Sequence, residues 1–238
     1  MRPALAQSPP NYSDITDTPL THPFTTHAAV RIHYIFPQIQ AYSQKQRSKY
    51  AYRIACQSFR SDKDSPNVSI VKNPDGKPYF ATISPTYSEL LPYHLSLSHC
   101  HQLTVLALSL TPIGIDCEHM VLRPRQERLF MRLLQSSSLL PEPIESLSLG
   151  YKNLSPSDQS LLFYKLWTYF EAISKIHGWP LWYTFQQKPA FPAPSLYRLL
   201  FENSHRIDHY HVVFHQPLPS YLSCSITTAP QNRHLEYH

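Results

Sequence analysis

The chain has 238 residues, 42% of them apolar, which is enough to bury a core in one large domain or in two of about 110 residues each. Charged residues make up 16% and the formal net charge is +5, a mild basic bias that excludes a charge-dominated disordered chain. It leaves open an acidic protein, a polyanionic cofactor or nucleic acid as partner. No run of about 18 apolar residues is present, so no membrane span is expected. The first 28 residues lack the basic start and apolar middle of a secretory signal. Cys56, Cys100, Cys117 and Cys224 form no C-x-x-C pair and have neither zinc-site nor disulfide-framework spacing. Free thiols in a reducing cytoplasm are the simplest reading.

Residues 1–28, with Pro9-Pro10, Pro19 and Pro23, read as an irregular lead. Residues 29–36 alternate as a first strand. Over 43–59, Tyr50, Ala51, Ile54, Ala55 and Phe59 recur at helical spacing. Lys45, Lys49, Arg53 and Arg60 lie on another face of that helix, as a solvated basic face or as phosphate contacts. Val68–Val71 is a short strand, and Asn73-Pro-Asp-Gly76 is a turn in which Pro fixes φ and Asp-Gly permits a positive φ. Lys77 follows it. In 93–99, Leu95 and Leu97 face one side and Ser96 and Ser98 the other, and His99 ends the strand. Leu103–Leu110 is a second strand, hairpin-paired with the first. Thr111-Pro112 breaks the chain, and the expected boundary lies there: an N-terminal half over 29–112, a C-terminal half over 113–228 and a loose tail over 229–238.

Ile113-Gly-Ile-Asp-Cys-Glu118 places Asp116 and Glu118 on one face of a strand and Ile115 and Cys117 on the core face. Gly114 permits close approach of another backbone. Residues 123–135 read as a helix with apolar Leu129, Leu133 and Leu134 and a basic ridge of Arg125, Arg128 and Arg132, with Arg123 beside it. Residues 136–157, rich in Ser, Leu and Pro, read as a loop or short helices. Ser155 caps the next helix, Pro156 suits its first turn, Asp158 complements its dipole, and Gly178 and Pro180 end it. Its core stripe is Leu162, Leu166, Tyr169, Ile173 and Ile176, while Trp167, Glu171, Ser174 and Lys175 share another face. Stretches near 181–187, 197–203, 209–215 and 221–227 look strand-like, with a turn at Ser204-His205.

Either pair alone has a plain structural reading: Asp116 and Glu118 as a charged edge strand, Glu171 and Lys175 as a helix salt bridge at i, i+4. Together, Asp116, Glu118 and Glu171 have the chemistry to hold one Mg²⁺ or Mn²⁺, which prefers oxygen ligands and then takes substrate phosphate oxygens. Lys175 would neutralise remaining phosphate charge. Phosphoryl transfer and metal-dependent nucleic-acid cleavage both fit.

Four motifs in order resemble the 4′-phosphopantetheinyl transferases of the larger, surfactin-synthetase-activating type. Gly76-Lys77-Pro78 is similar to the family's G-K-P, and Leu97-Ser98-His99-Cys100 to its (N/S)-h-S-H-S. Ile113–Glu118 is similar to (I/V)-G-(I/V)-D-h-E. Trp167–Lys175 is similar to W-(T/S)-x-K-E-A-x-x-K, except that Phe170 stands where the family has lysine. The resemblance covers about 68–180. It implies an α+β fold of two similar α/β halves related by a pseudo-twofold axis, with coenzyme A between them. The implied reaction moves 4′-phosphopantetheine from coenzyme A to a serine of an acidic acyl or peptidyl carrier protein, leaving adenosine 3′,5′-bisphosphate.

The roles follow from the same resemblance. Asp116, Glu118 and Glu171 surround Mg²⁺, with Mn²⁺ as substitute. Glu171 is the general base, and Lys175 meets the pyrophosphate. Lys77, Ser98 and His99 fall at coenzyme A-gripping positions, with His99 near the 3′-phosphate. Arg53, with Lys45 or Lys49, sits where the family carries further bases for those phosphates. Phe170 would remove one cation from the site. Arg123, Arg125, Arg128 and Arg132 become candidates for carrier docking. A monomer without nucleic-acid or membrane partners is expected. The competing readings are a non-catalytic coenzyme A or carrier-binding homologue and a Mg²⁺-dependent nuclease.

Overall fold

A computed structural model describes residues 30–35, 43–57, 68–73, 76–83, 88–101, 103–136, 149–186, 202–207, 210–218 and 220–228. The expected lead at 1–28, the tail at 229–238, Phe59, Arg60 and most of the 136–157 loop lie outside these residues.

The fold is mixed α+β, with two antiparallel sheets, four helices and a further short helical stretch at 149–152 among the described residues. The strands are β1 (Arg31–Ile35), β2 (Val68–Lys72), β3 (Pro78–Ile83), β4 (Ser88–Cys100), β5 (Leu103–Ser109), β6 (Ile113–His119), β7 (Ser204–Ile207), β8 (Tyr210–Leu218) and β9 (Tyr221–Thr228). The helices are α1 (Gln44–Gln57), α2 (Gln126–Ser136), α3 (Pro156–His177) and α4 (Leu181–Gln186). One sheet has the order β1-β5-β4-β3-β2 and the other β6-β9-β8-β7. Both share one connectivity. An opening strand leads into helix, and an antiparallel meander then returns to pair its last strand with the first. The chain passes from one sheet to the other at Thr111-Pro112. No helix of the described residues is long and apolar enough to cross a membrane.

Alternation along the strands builds the layers. On β5, Leu106 and Leu108 face Ala55 of α1, together with Phe80 and Leu95. Leu103, Val105 and Ala107 face the other way, onto Ile113, Ile115 and Cys117 of β6. The opposite face of β6, with β8 and β9, packs beneath α3. Strand β6 is thus enclosed from both sides.

The serines of β4 join the sheets. The N–H groups of Ile115 and Cys117 donate to Ser96 Oγ (3.0 Å) and Ser98 Oγ (3.3 Å). Two edge donors of β6 that would be costly to bury unpaired are satisfied by side chains instead of a further strand.

Helix α3 is the central beam. Ser155 Oγ accepts from the Asp158 N–H, and Gly178 closes the helix in the left-handed conformation (φ 71°). Two expectations differ here. The stretch near 181–187 is helix α4, not strand. Thr184 Oγ1 meets Ser174 Oγ at 2.7 Å and Phe185 packs edge-on to Phe170, so packing on α3 overrides the local β tendency of Leu-Trp-Tyr-Thr-Phe. Ser204-His205 is not a turn; it opens β7, paired with Val213 and Val212 of β8.

Candidate functional site

Strand β6 and helix α3 cross at Gly114. A Cβ placed on Gly114 would lie 1.9 Å from the Ala172 carbonyl oxygen, so only glycine lets the two backbones meet. That contact sets Asp116 against Lys175. Lys175 Nζ lies 2.7 Å from Asp116 Oδ1 and donates to the Ile115 carbonyl at 3.0 Å. Ser98 Oγ donates to the same Asp116 oxygen at 2.8 Å. Asp116 is 5% exposed, and its Oδ2 is buried without a hydrogen-bond partner among the described residues.

Trp167, Glu171 and Lys175 are the half-buried positions along the middle of an otherwise buried helix, spaced i, i+4, i+8 on one line. Burial raises the Glu171 carboxyl, repulsion from Asp116 raises it further, and Lys175 opposes both. Burial and Asp116 likewise raise Glu118, against Arg123 and the Trp167 indole, which hydrogen-bonds it. Arg123 Nη2 lies 3.2 Å from Glu118 Oε2 and its Nε donates to Tyr164 Oη at 3.0 Å. Arg123 therefore belongs to this acidic cluster more than to a docking ridge.

Phe170 sits one residue from Glu171 but about 100° round the helix. It is 3% exposed and packed against Tyr169 and Phe185. Position 170 points into the core, so the expected loss of a cleft cation there does not apply.

A cleft of about 370 Å³ opens beside this cluster. Lys77, Ser96 and His99 line one wall, from the first sheet; Glu171, Lys175 and Trp179 line the other. The Lys77 ammonium donates to the Ile176 carbonyl, tying the two walls together, and burial lowers its pKa. His99 Nε2 meets Ser48 Oγ at 2.8 Å and its Nδ1 meets Thr104 Oγ1 at 2.9 Å. Burial, Arg47 and Lys175 lower its pKa to about 4, so His99 is neutral at pH 7.

That shift fixes a pH dependence. The unfolded histidine takes up a proton near pH 6.5 while the folded one refuses it until about pH 4. The unfolded chain binds more protons in that window, so the His99 contribution lowers stability as pH falls from 6.5 to 4. Urea melts of wild type and His99→Gln at pH 7 and pH 4.5 test this: the variant should lose less stability on acidification. Equal losses would contradict it.

The other expected binding residues separate. Ser98 is turned onto Asp116 and Cys117 and does not line the cleft. Lys45, Lys49 and Arg53 are exposed, and Arg53 lies over the Tyr50 ring (5.1 Å). Ser48 and Tyr52, one helical turn apart, are what α1 presents to the cleft. Arg47 beside them donates to the His101 carbonyl. Sequence reading missed Ser48 and Tyr52 and placed Arg47 only near the basic face. The small and polar positions of α1 between the basic ones were the available signal. Arg125, in the turn before α2, and Arg128 and Arg132 on α2 are exposed, as are Leu122 (72%) and Leu129 (36%).

The donor set is of the oxygen type that a hard divalent cation takes. It has a buried, unpartnered carboxylate oxygen on Asp116 and two further carboxyls that Asp116 repels. Among the described residues, however, no three His, Cys, Asp or Glu side chains are gathered closely enough to hold a metal ion. Lys175 occupies the place beside Asp116. No protein-family model matches the chain, and no curated protein matches it.

Proposed function

We propose that the protein transfers 4′-phosphopantetheine from coenzyme A to a serine of an acidic acyl or peptidyl carrier protein, with Mg²⁺. The observation that carries this reading is the shared cleft. Lys77 and His99 from the first sheet face Glu171 and Lys175 from α3 across it, with Asp116 bonded to Lys175 behind them. The repeated connectivity of the two sheets supports two related halves with a pseudo-twofold relation, and the cleft runs between them. Its volume lies near the small end of the range for ligand pockets, about 300–1,000 Å³, suiting the pyrophosphate and the groups next to it.

Asp116 Oδ2, Glu118 and Glu171 would hold the cation, which would supply Lewis acidity to the pyrophosphate oxygens. Lys77 and Lys175 would pair with phosphate charge. Glu171, which lines the cleft, would be the general base. It would take the proton of the carrier serine as that oxygen attacks the phosphorus bearing the pantetheine arm. The bond from this phosphorus to the bridging oxygen breaks, and adenosine 3′,5′-bisphosphate leaves with the electron pair. Arg128 and Arg132, with exposed Leu129 between them, suit an acidic carrier helix.

The experiment combines the protein with coenzyme A, Mg²⁺ and apo carrier proteins of the fatty-acid, polyketide and peptide classes. A carrier mass gain of one phosphopantetheine is expected. No gain on any class, with coenzyme A bound, would leave a non-catalytic binding protein instead. Reversing Arg128 and Arg132 to Glu should raise the carrier KM about tenfold or more with coenzyme A affinity unchanged. Equal loss of coenzyme A affinity would count against docking on this face.

A further inference from the structure

All four cysteines are free thiols, and two of them meet at the seam between the sheets. Ser96 and Ser98 of β4 accept from the N–H groups of Ile115 and Cys117, an offset of 19 residues in both cases. The two strands therefore run side by side in one direction, and alternation turns Cys100 toward β6 along with Ser96 and Ser98. Cys117 turns from β6 toward the first sheet. Both side chains lie in one buried cluster with Leu103, Val105 and Ile115, and the Cys117 thiol hydrogen-bonds the Cys100 thiol. The other two cysteines sit elsewhere: Cys56 with the layer under α1, Cys224 with the layer under α3. Cys100 is 8% exposed at the end of β4, against 2% for Cys117 and 0% for Cys224. A water-sized oxidant therefore meets Cys100 before its neighbour.

We propose that Cys100 and Cys117 are a redox-active pair: a peroxide oxidises them to a disulfide that staples β4 of the first sheet to β6 of the second, and a thiol reductant reopens it. The Cys100 sulfur attacks one oxygen of hydrogen peroxide, the O–O bond breaks, and a sulfenic acid and one water result. The Cys117 sulfur then attacks the Cys100 sulfur, the S–O bond breaks, and the oxygen leaves as a second water with the Cys117 proton. Two thiols are oxidised to one disulfide while the peroxide is reduced to two waters. The bridge closes residues 100–117 into a loop across Thr111-Pro112, where the chain passes between the sheets, and so restricts the unfolded chain. It also ties the two sheets together beside His99 and Asp116, each the chain neighbour of one cysteine. None of this depends on phosphopantetheine transfer in the cleft.

The test treats the folded full chain, freed of reductant, with hydrogen peroxide. A disulfide-linked pair of chymotryptic peptides carrying Cys100 and Cys117 is expected; trypsin would not separate the two, because no Lys or Arg lies between them. The oxidised protein should melt about 5 °C or more above the reduced one, and dithiothreitol should reverse the gain. Cys100→Ser and Cys117→Ala should each abolish both the linked peptides and the gain, while Cys56→Ser should keep both. Wild type alone decides the linkage, so a variant that fails to fold leaves the test standing. Sulfinic acid at Cys100 with Cys117 still reduced, a bridge to Cys56 or Cys224 instead, or no oxidation of either thiol overturns the pairing. A Cys100–Cys117 bridge that leaves the midpoint unchanged or lowers it overturns the staple.

Discussion

Gly114→Ala is expected to destabilise the protein by at least about 3 kcal/mol and to abolish the proposed transfer. The new methyl would lie 1.9 Å from the Ala172 carbonyl oxygen and 2.9 Å from Ile176 Cγ1. Inserted core atoms ordinarily cost about 1–3 kcal/mol, when side chains can shift aside. Here the nearest obstacle is the backbone of a 22-residue helix buried along most of its length. Relief requires α3 to move off β6. Since β6 carries Asp116 and α3 carries Glu171 and Lys175, any such movement also opens the site. For a chain of this size the thermal midpoint should drop by roughly 6–12 °C. A folded Gly114→Ala protein with a wild-type midpoint would show that the two backbones are not in contact.

Asp116→Asn is expected to do the opposite: to remove activity and leave the fold nearly intact. Asparagine keeps the shape and still accepts from Ser98, but loses the charge that holds Lys175 and would hold metal. Loss of a metal-bound Lewis acid is worth several kcal/mol, so transfer should fall by about three powers of ten. Stability changes in two directions that offset. Lys175 loses its ion pair, while Glu118 and Glu171 lose the repulsion that raises both. Those two carboxyls should therefore titrate lower in the variant than in wild type, which carboxyl-detected NMR can follow. Unchanged titration of both would show that the three carboxylates do not share one electrostatic site. Retained transfer with coenzyme A and Mg²⁺ would remove Asp116 from the proposed mechanism.

Much of the local structure was legible in the sequence because it depends on neighbours along the chain. Ser155, Pro156 and Gly178 mark both ends of α3, since capping depends on residues within one turn. The alternation of Ile113–Glu118 gave β6 its two faces, and Gly114 signalled a close approach without saying to what. The grouping of Trp167, Glu171 and Lys175 follows from helical spacing alone. What the sequence by itself determined, then, is the order of the elements and the chemistry each offers.

The tertiary structure decided which of these residues meet. Ser96 and Ser98 look alike in an alternating strand, yet Ser98 is committed to Asp116 while Ser96 lines the cleft. The exposed bases of α1 outnumber its cleft residues, and only the docking of α1 on β5 selects Ser48 and Tyr52. Leu181–Gln186 has a strand-like sequence and is helical because α3 offers Ser174 and Phe170 as partners. Above all, the sequence shows one lysine and three carboxylates but not their pairing. Pairing depends on long-range packing, and here it places Lys175 against Asp116, because β6 and α3 touch at a residue with no side chain.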